Sequence, residues 1–298
     1  MNNRSTETGL VIAAYGRRGI LEADSGEELK YLVKGRRLRV VCGDRVEWER
    51  DVHDGKAIVR DVEQRDNTLE RQPPDRHDPE ILAANVGCLV VVCAPKPETD
   101  WFLVDRYLAT AGLMQCRAML VDNKIDLAES ALTGERNKEL ANYRQLGYTS
   151  LRVSAQNGDG IDELLTELRD TIAILVGQSG VGKSSLINRL APNADIVVGE
   201  LSAASAEGTH TTTASAMHRL PGGGRLIDTP GVRDFVPAID EARSVQFGFP
   251  EINALAGQCR FNDCRHLREP NCAVKDAVES GQISARRFET YRRLVREL

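Results

Sequence analysis

The chain has 298 residues, a formal net charge of −5, and hydrophobic and charged fractions of 41% and 28%, so we expect a globular protein of roughly two or three domains. No apolar run approaches the roughly 18 residues of a membrane span and the N-terminus lacks a signal-peptide core, so we expect a cytoplasmic protein without membrane attachment. The negative charge argues against indiscriminate nucleic-acid binding, and any RNA contact must therefore come from local basic patches.

The N-terminal region, residues 1–70, contains five short runs of alternating apolar and polar residues separated by turn signals. This pattern predicts a small all-β domain, an OB-fold barrel of five strands. Basic runs at 16–18 and 34–39 fall on this barrel, whose fold commonly binds RNA, although they could equally be solvated surface. The Pro-rich, charged segment 71–80 is predicted to be a linker.

Residues 81–238 alternate between apolar strand patterns and helix patterns, which is typical of a parallel, doubly wound α/β sheet. A hairpin with the sequence PGGG at its turn ends this pattern. Residues 239–298 become irregular and then helical, and we expect a mainly helical C-terminal domain that ends in an arginine-rich helix.

A phosphate-binding loop is predicted at residues 177–184, where GQSGVGKS matches the pattern G-x-x-x-x-G-K-[S/T] between a predicted strand and a predicted helix. Its glycines let successive backbone N–H groups face one anion, and the helix N-terminus adds its dipole. Lys183 is expected to reach the β- and γ-phosphates, and Ser184 is expected to bind Mg²⁺.

The segment LIDTPG supplies a second group for Mg²⁺, because Asp228 ends an apolar strand and Gly231 can turn its N–H toward a γ-phosphate. Between this segment and the phosphate loop lies EGTHTTTASA, a candidate switch loop whose threonine hydroxyls could complete the Mg²⁺ shell. We take Thr212 as that ligand, with Thr211 and Thr213 as alternatives.

The tetrapeptide NKID predicts guanine recognition, since the Asp126 carboxylate can accept hydrogen bonds from N1–H and the exocyclic amine of guanine together. Adenine lacks this pair of donors, so the site should prefer GTP to ATP. Asn123 is expected to hold the loop and contact the base edge, while the aliphatic part of Lys124 covers the base. After a later strand, Ser154 and Ala155 could present a backbone N–H to guanine O6. All of these loops follow strand ends, where α/β sheets bind ligands.

The order of these motifs is unusual, because the base loop precedes the phosphate loop, whereas ordinary GTPases begin with the phosphate loop. Cutting the usual chain after D-x-x-G and joining its old ends gives this order, so we interpret the domain as circularly permuted. The segment after Gly231 then leads directly into the C-terminal domain. We therefore hypothesise that the nucleotide state repositions that domain.

A metal site is predicted in CRFNDCRHLREPNC, where three thiolates and an imidazole form the donor set that tetrahedral Zn²⁺ prefers. A closed set of four ligands implies one structural zinc that stabilises a small domain. Its ligands would be Cys259, Cys264, His266 and Cys272. The other cysteines lie in apolar or strand-like surroundings and are interpreted as reduced core thiols: Cys42, Cys88, Cys93 and Cys116.

Taken together, NKID, GQSGVGKSS, GTHTTT, DTPGVRDF and CRFNDCRHLREPNC resemble the RsgA family of circularly permuted, ribosome-associated GTPases over essentially the whole chain. This resemblance implies binding to the small ribosomal subunit and its rRNA, a role in late maturation of that subunit, and GTP hydrolysis stimulated by it; we expect a monomer. It also implies guanine contacts from Asn123 to Asp126 and the four zinc ligands above. The implied phosphate contacts are Gly177, Gln178, Ser179, Gly180, Val181, Gly182, Lys183, Ser184 and Ser185. Thr209 departs from the family pattern, in which arginine often precedes HTTT.

Catalysis would involve Lys183 and Asp228, and His210 is the nearest polar candidate for positioning water. Val232 occupies the place where many GTPases have a water-orienting glutamine, so unaided hydrolysis should be slow. Two alternatives stay open. One is an RNA-binding assembly scaffold with incidental hydrolysis, and the other is a GTPase that acts on the large subunit or another RNA.

Overall fold

A computed structural model describes residues 6–35, 37–51, 55–72, 79–127, 134–192, 215–229 and 244–297. Its N-terminal strands are β1 (Glu7–Tyr15), β2 (Arg18–Ala23), β3 (Glu28–Val33), β4 (Arg45–Arg50) and β5 (Ala57–Val62). β1 pairs with β2 and β4, β2 with β3, and β5 with β3 and β4, so the five strands close into a ring. Alternate residues point inward, as the period of two predicts, and their core includes Val11, Leu21, Tyr31, Val46, Trp48 and Val59. The predicted five-stranded barrel is confirmed.

An antiparallel hairpin follows the barrel, formed by β6 (Thr68–Arg71) and β7 (Glu80–Ala84). Its buried residues pack into the core of the next domain, and the Ala84 N–H donates to the carbonyl of Cys42 in the barrel at 3.0 Å. The ends of the predicted linker 71–80 belong to this hairpin, and residues 73–78 lie outside the described part of the chain.

The central sheet contains six strands in the order β10-β9-β8-β11-β13-β12, and all except β12 run parallel. Its strands are β8 (Cys88–Cys93), β9 (Arg117–Asp122), β10 (Thr149–Arg152), β11 (Ile172–Val176), β12 (Ser215–Arg219) and β13 (Arg225–Asp228). β8 lies at the centre and is buried throughout, which explains its uninterrupted apolar sequence CLVVVC. Two hydrophobic clusters cover opposite faces of the sheet. Helices α1 (Trp101–Leu113) and α2 (Gly134–Gln145) pack on one face, and α3 (Ile161–Glu167) and α4 (Lys183–Leu190) on the other. The doubly wound prediction is confirmed.

The barrel and the central domain share one sheet of eleven strands, which the sequence patterns did not predict. β1 of the barrel pairs antiparallel with β12, with Ala13 opposite Ala216 and Ala14 opposite Ser215. Beside this junction, Glu22 of β2 forms ion pairs with Arg219 at 2.5 Å and Arg225 at 2.7 Å. β12 therefore belongs to both units.

The C-terminal region consists of a 3-10 helix (Val245–Gly248) and helices α5 (Pro250–Ala256), α6 (Ala273–Glu279) and α7 (Ala285–Glu297). Its apolar core gathers Val245, Phe249, Ile252, Val274, Phe288, Tyr291 and Leu294. The region packs on α1, where the backbones nearly touch, since a Cβ added to Gly112 would lie 2.9 Å from the Gly248 Cα. No helix among the described residues is long and apolar enough to cross a membrane.

A buried ionic network also joins α7 to α1. The Asp105 carboxylate is fully buried and accepts hydrogen bonds from Arg286 and Arg287, each at 2.6 Å, and from Thr290 at 2.9 Å. Tyr143 donates to the same carboxylate at 2.6 Å. Burial alone would lower the pKa of Arg287, but Asp105 and Glu251 raise it well above its ordinary value. Arg287 of the basic C-terminal helix is therefore buried and Arg286 is partly buried, so these two arginines do not form an exposed basic face.

Candidate nucleotide and metal sites

The phosphate loop connects β11 to α4 through three glycines with positive φ: 144° at Gly177, 80° at Gly180 and 96° at Gly182. Two of these glycines cannot be replaced by a residue that has a side chain. A Cβ at Gly177 would lie 2.2 Å from the carbonyl oxygen of Val92, and one at Gly182 would lie 2.4 Å from Nδ2 of Asn123. The loop is therefore pressed against the ends of both β8 and β9.

Lys183 is buried at the first position of α4, and its ammonium group donates to the carbonyls of Gly177 and Gln178, the latter at 2.9 Å. This places the positive charge over the loop that would hold the phosphates. Ser184 and Ser185 follow it and are exposed in the first turn. Asp228 ends β13, which pairs in parallel with β11, so Asp228 leaves the sheet at the same edge as the phosphate loop.

Asn123 links the base loop to both other loops. It is almost completely buried, its Nδ2 donates to the carbonyl of Val181 at 2.9 Å, and its Oδ1 accepts from the N–H of Ala155 at 3.1 Å. One side-chain amide thereby joins three loops that lie up to 58 residues apart in sequence. Because Ala155 already donates its N–H to Asn123, a contact from Ala155 to guanine O6 would share that hydrogen.

The other base-loop side chains are held in specific positions. Lys124 adopts a left-handed conformation with φ of 64°, and its ammonium group donates to the carbonyls of Lys96 at 2.9 Å and Gly180 at 2.5 Å. Asp126 is exposed, and one of its carboxylate oxygens accepts from the buried Ser154 hydroxyl at 2.5 Å. This contact orients the carboxylate that would read the guanine edge.

The sequence patterns missed Arg136 of α2, which lies beneath the base loop. It forms an ion pair with the fully buried Asp122, the residue before Asn123, and it also donates to the Thr99 hydroxyl. Its guanidinium lies 3.5 Å from the Cys93 Sγ, and burial raises the pKa of that thiol to about 12, so the thiol stays neutral. A buried carboxylate directly before NKID was the available signal, but nothing in the sequence identified its partner.

The loop after β8 is a further part of the site that no motif indicated. Its Lys96 carbonyl accepts from Lys124, and its Asp100 N–H donates to Oε1 of Gln178 at 3.2 Å. Asp100 also caps α1 by accepting from the Leu103 N–H. The phosphate loop is therefore in contact with the start of the helix that carries Asp105.

The predicted metal ligands converge, with all four ligand atoms within 4.8 Å of one another. The Sγ atoms of Cys259 and Cys272 are 3.8 Å apart, and His266 Nδ1 is 3.5 Å and 3.3 Å from them. A tetrahedral zinc with bonds of about 2.3 Å to sulfur and about 2.0 Å to nitrogen requires edges of ~3.8 Å and ~3.5 Å. The other ring nitrogen of His266 lies 3.4 Å from the Gln246 side chain, which can fix the ring. The cluster, completed by Cys264, fits a tetrahedral metal such as zinc.

The remaining predicted site residues fall outside the described part of the chain. They are Thr209, His210, Thr211, Thr212, Thr213, Gly231 and Val232.

Comparison with known proteins gives a consistent result. The family model of the RsgA GTPase matches residues 62–236. A relative from Pseudomonas fluorescens (strain SBW25), named small ribosomal subunit biogenesis GTPase RsgA, is 44% identical over 298 residues, which span 98% of this chain and 86% of the relative. A relative of the same name from Saccharophagus degradans is 40% identical over 305 residues, 99% of this chain and 88% of the relative.

Two solved structures share the fold. The crystal structure of YjeQ from Thermotoga maritima superposes with a TM-score of 0.79 and 31% identity over 99% of each chain. The structure of YloQ, described as a circularly permuted GTPase, gives a TM-score of 0.75 at 24% identity and covers 100% of this chain and 96% of its own. The predicted permuted architecture is thereby confirmed.

Proposed function

The chain belongs to the RsgA GTPase family and is a GTPase, and from this premise we propose that it acts in late maturation of the small ribosomal subunit. In this proposal the GTP form binds the subunit, and hydrolysis stimulated by the subunit releases it. The name shared by the relatives supports the target. The structural observation that supports the nucleotide part of the proposal is Asn123, whose amide holds the predicted base, phosphate and Ser154–Ala155 loops together.

Guanine specificity is assigned to Asp126, whose orientation by Ser154 supports its role as acceptor for the two donors of guanine. The Lys124 side chain would cover the base, and Asn123 would position the loop. We expect Asp126→Ala to raise the KM for GTP far more than it lowers kcat, because the carboxylate contacts the base and not the reacting phosphate. An unchanged KM would contradict this assignment.

We assign binding of the GTP phosphates to residues 177–185, with the Lys183 ammonium next to the β- and γ-phosphates. The Ser184 hydroxyl and the Asp228 carboxylate supply oxygen donors of the kind that Mg²⁺ prefers, and Thr212 and Gly231 would complete this end of the site. When bound, Mg²⁺ neutralises charge that develops on the β- and γ-oxygens. Lys183 adds a fixed positive charge at the same place.

Water positioning is assigned to His210, because Val232 cannot hydrogen-bond the attacking water. We expect His210→Ala to lower subunit-stimulated kcat with little change in GTP affinity. Full stimulated turnover in this variant would remove His210 from the mechanism.

We assign the cysteine and histidine cluster to one structural zinc, and we assign binding of rRNA to the barrel and the C-terminal region. The protein would act as a cytoplasmic monomer. Its nucleotide state is proposed to reposition the C-terminal domain, predicted as residues 239–298, since the segment after Gly231 leads into that domain. Hydrogen exchange in this region should differ between the GDP form and a form with a GTP analogue, and identical exchange would contradict the coupling.

The decisive experiment measures GTP hydrolysis alone, with purified small subunits and with purified large subunits. We expect strong stimulation by the small subunit only, and Lys183→Ala should abolish it. Stimulation by the large subunit alone would support the alternative target. Subunit binding that persists in a hydrolysis-deficient variant without loss of maturation would support a scaffold with incidental hydrolysis.

A further inference from the structure

A cavity of about 350 Å³ lies in the C-terminal region, away from the nucleotide site. α5, the loop of the metal ligands and α7 contribute its walls, and Cys264 of the cluster lines it. The wall is firmly held. The Arg265 carbonyl accepts from the Tyr291 hydroxyl at 3.1 Å, and the Arg265 N–H donates to Glu269 at 3.0 Å. A bound metal would fix the same loop, so the cavity is preformed.

Several exposed polar side chains line this cavity together with apolar ones. Asn253, Asn262 and Asp263 line it, and within the described residues their side chains form no hydrogen bond or ion pair. Gln246 and Arg265 add an amide and a guanidinium. These groups offer both donors and acceptors over a small area, and such a set matches the edge of a nucleobase.

Two exposed aromatic residues are next in the chain to residues that line the cavity. Among the described residues only two large hydrophobic side chains are exposed, Phe247 at 56% and Phe261 at 41%. Each is the chain neighbour of a cavity residue, Gln246 and Asn262 respectively. The Arg260 guanidinium lies 5.6 Å from the centre of the Phe261 ring. Aromatic rings and arginine planes are the surfaces on which unpaired bases stack.

We propose that this cavity binds one unpaired nucleobase of rRNA, read at its edge by Asn253 and Asn262 and flanked by stacking on Phe261. The identity of the RNA rests on the proposed function, whereas the class of ligand rests on the cavity. The amides and the carboxylate in the cavity lining, with the Arg260–Phe261 pair next to Asn262 in the chain, favour RNA over a protein partner, because protein anchors are usually seated in predominantly apolar pockets.

The test uses the full chain with its metal and a GTP analogue, titrated with purified small subunits. The double variant Asn253→Ala/Asn262→Ala and the single variant Phe261→Ala should each weaken binding by about tenfold, a typical loss for one base contact. Gln282→Ala is the matched control, because it removes an exposed amide of the same region outside the cavity. Chemical probing of the rRNA should show one base protected by the wild type and by Gln282→Ala but not by the double variant.

Several outcomes would overturn the proposal. One is unchanged binding together with an unchanged rRNA footprint for the double variant. Another is a crosslink to a ribosomal protein instead of rRNA when Phe261 is replaced by p-benzoylphenylalanine. If the wild type does not bind small subunits at all, the proposed function fails, and binding of single-stranded oligoadenylate and oligouridylate then judges the cavity alone. Equal binding of both oligonucleotides by wild type and double variant would overturn it.

Discussion

The barrel joins the GTPase sheet through its backbone, whereas the C-terminal helices join it through side chains. On the first side, β1 pairs with β12, and Glu22 forms accompanying ion pairs with Arg225, whose side chain is 21% exposed, and with Arg219, whose side chain is 61% exposed. On the second side, Asp105 and Arg287 are almost completely removed from water. Backbone pairing fixes direction and register but depends little on charge. A buried carboxylate shared by two arginines depends on every partner, because any group left alone would be a desolvated charge.

The two junctions also meet different parts of the nucleotide site. β12 begins at Ser215, directly after the threonine loop, and it pairs with β13, which ends at Asp228. α1 instead begins beside Gln178 of the phosphate loop. The barrel is therefore connected to the strand that ends at Asp228, and the C-terminal region, which follows the D-x-x-G segment along the chain, also reaches the predicted phosphate loop through α1.

Loss of the metal should have the largest effect on stability, and this effect should be confined to the C-terminal region. Structural zinc contributes about 10–16 kcal/mol in small peptides, so Cys272→Ser should lose the metal and most amide protection in α5 and α6. The barrel should keep its protection, and Cys116→Ser should keep one equivalent of metal. Hydrogen exchange with metal analysis measures both, and full protection of α5 and α6 without metal would contradict this prediction.

Asp105→Ala should have the next largest effect. It should lower the free energy of unfolding by about 3–5 kcal/mol, because Arg286 and Arg287 lose the carboxylate that they share. Denaturant unfolding measures the loss. Glu297→Gln is the control at the rim of the same interface, where Arg106 and a half-exposed Glu297 form a pair, and it should change stability by about 1 kcal/mol or less. If the two substitutions changed stability equally, burial would not explain any difference between the contributions of these ion pairs.

Gly112→Ala tests the close crossing of α1 and the 3-10 helix. Helix propensity alone favours alanine by about 1 kcal/mol, but the added Cβ would meet the Gly248 backbone, and overpacking costs about 1–3 kcal/mol. We expect net destabilisation measured by denaturant. Gly134→Ala, where a Cβ meets nothing within 4 Å, should be neutral or slightly stabilising. A stabilising Gly112→Ala would mean that the two backbones can separate.

Glu22→Gln should have the smallest effect, about 1 kcal/mol, because the glutamine amide oxygen can still accept hydrogen bonds from Arg225, and the Arg219 side chain is 61% exposed. Hydrogen bonding to Arg225 lowers the pKa of Glu22, with Arg219 contributing. Because the pKa of Glu22 is lowered in the folded state, the stabilisation from its ion pairs is present at neutral pH. It is lost as the pH falls through the acidic carboxyl range and Glu22 becomes protonated. Unfolding curves of wild type and variant should therefore converge at low pH. A difference that persists there would assign the effect to packing.

Local signals predicted much of this molecule. The strand β8, the phosphate loop and the four metal ligands each carry their pattern within a short segment, and each lies where that pattern indicated. The Asp105–Arg287 pair spans 182 residues, and Arg287 belongs to a basic run that is indistinguishable in sequence from a solvated surface. Likewise, the two-residue junction of β1 with β12 is too short to leave a pattern. Contacts set by tertiary packing, including Arg136 with Asp122, therefore escaped prediction.

The shared strand edge has a consequence for synthesis of the chain. At Ala13 and Ala14, the edge of β1 that faces away from β2 pairs with β12, which follows about 200 residues later, so at about 5–20 residues per second this edge stays open for roughly 10–40 seconds during translation. An open edge is a template for incorrect pairing. The nascent barrel must therefore either wait for β12 or be shielded, and truncated chains that end before Ser215 should aggregate more readily than the 298-residue chain.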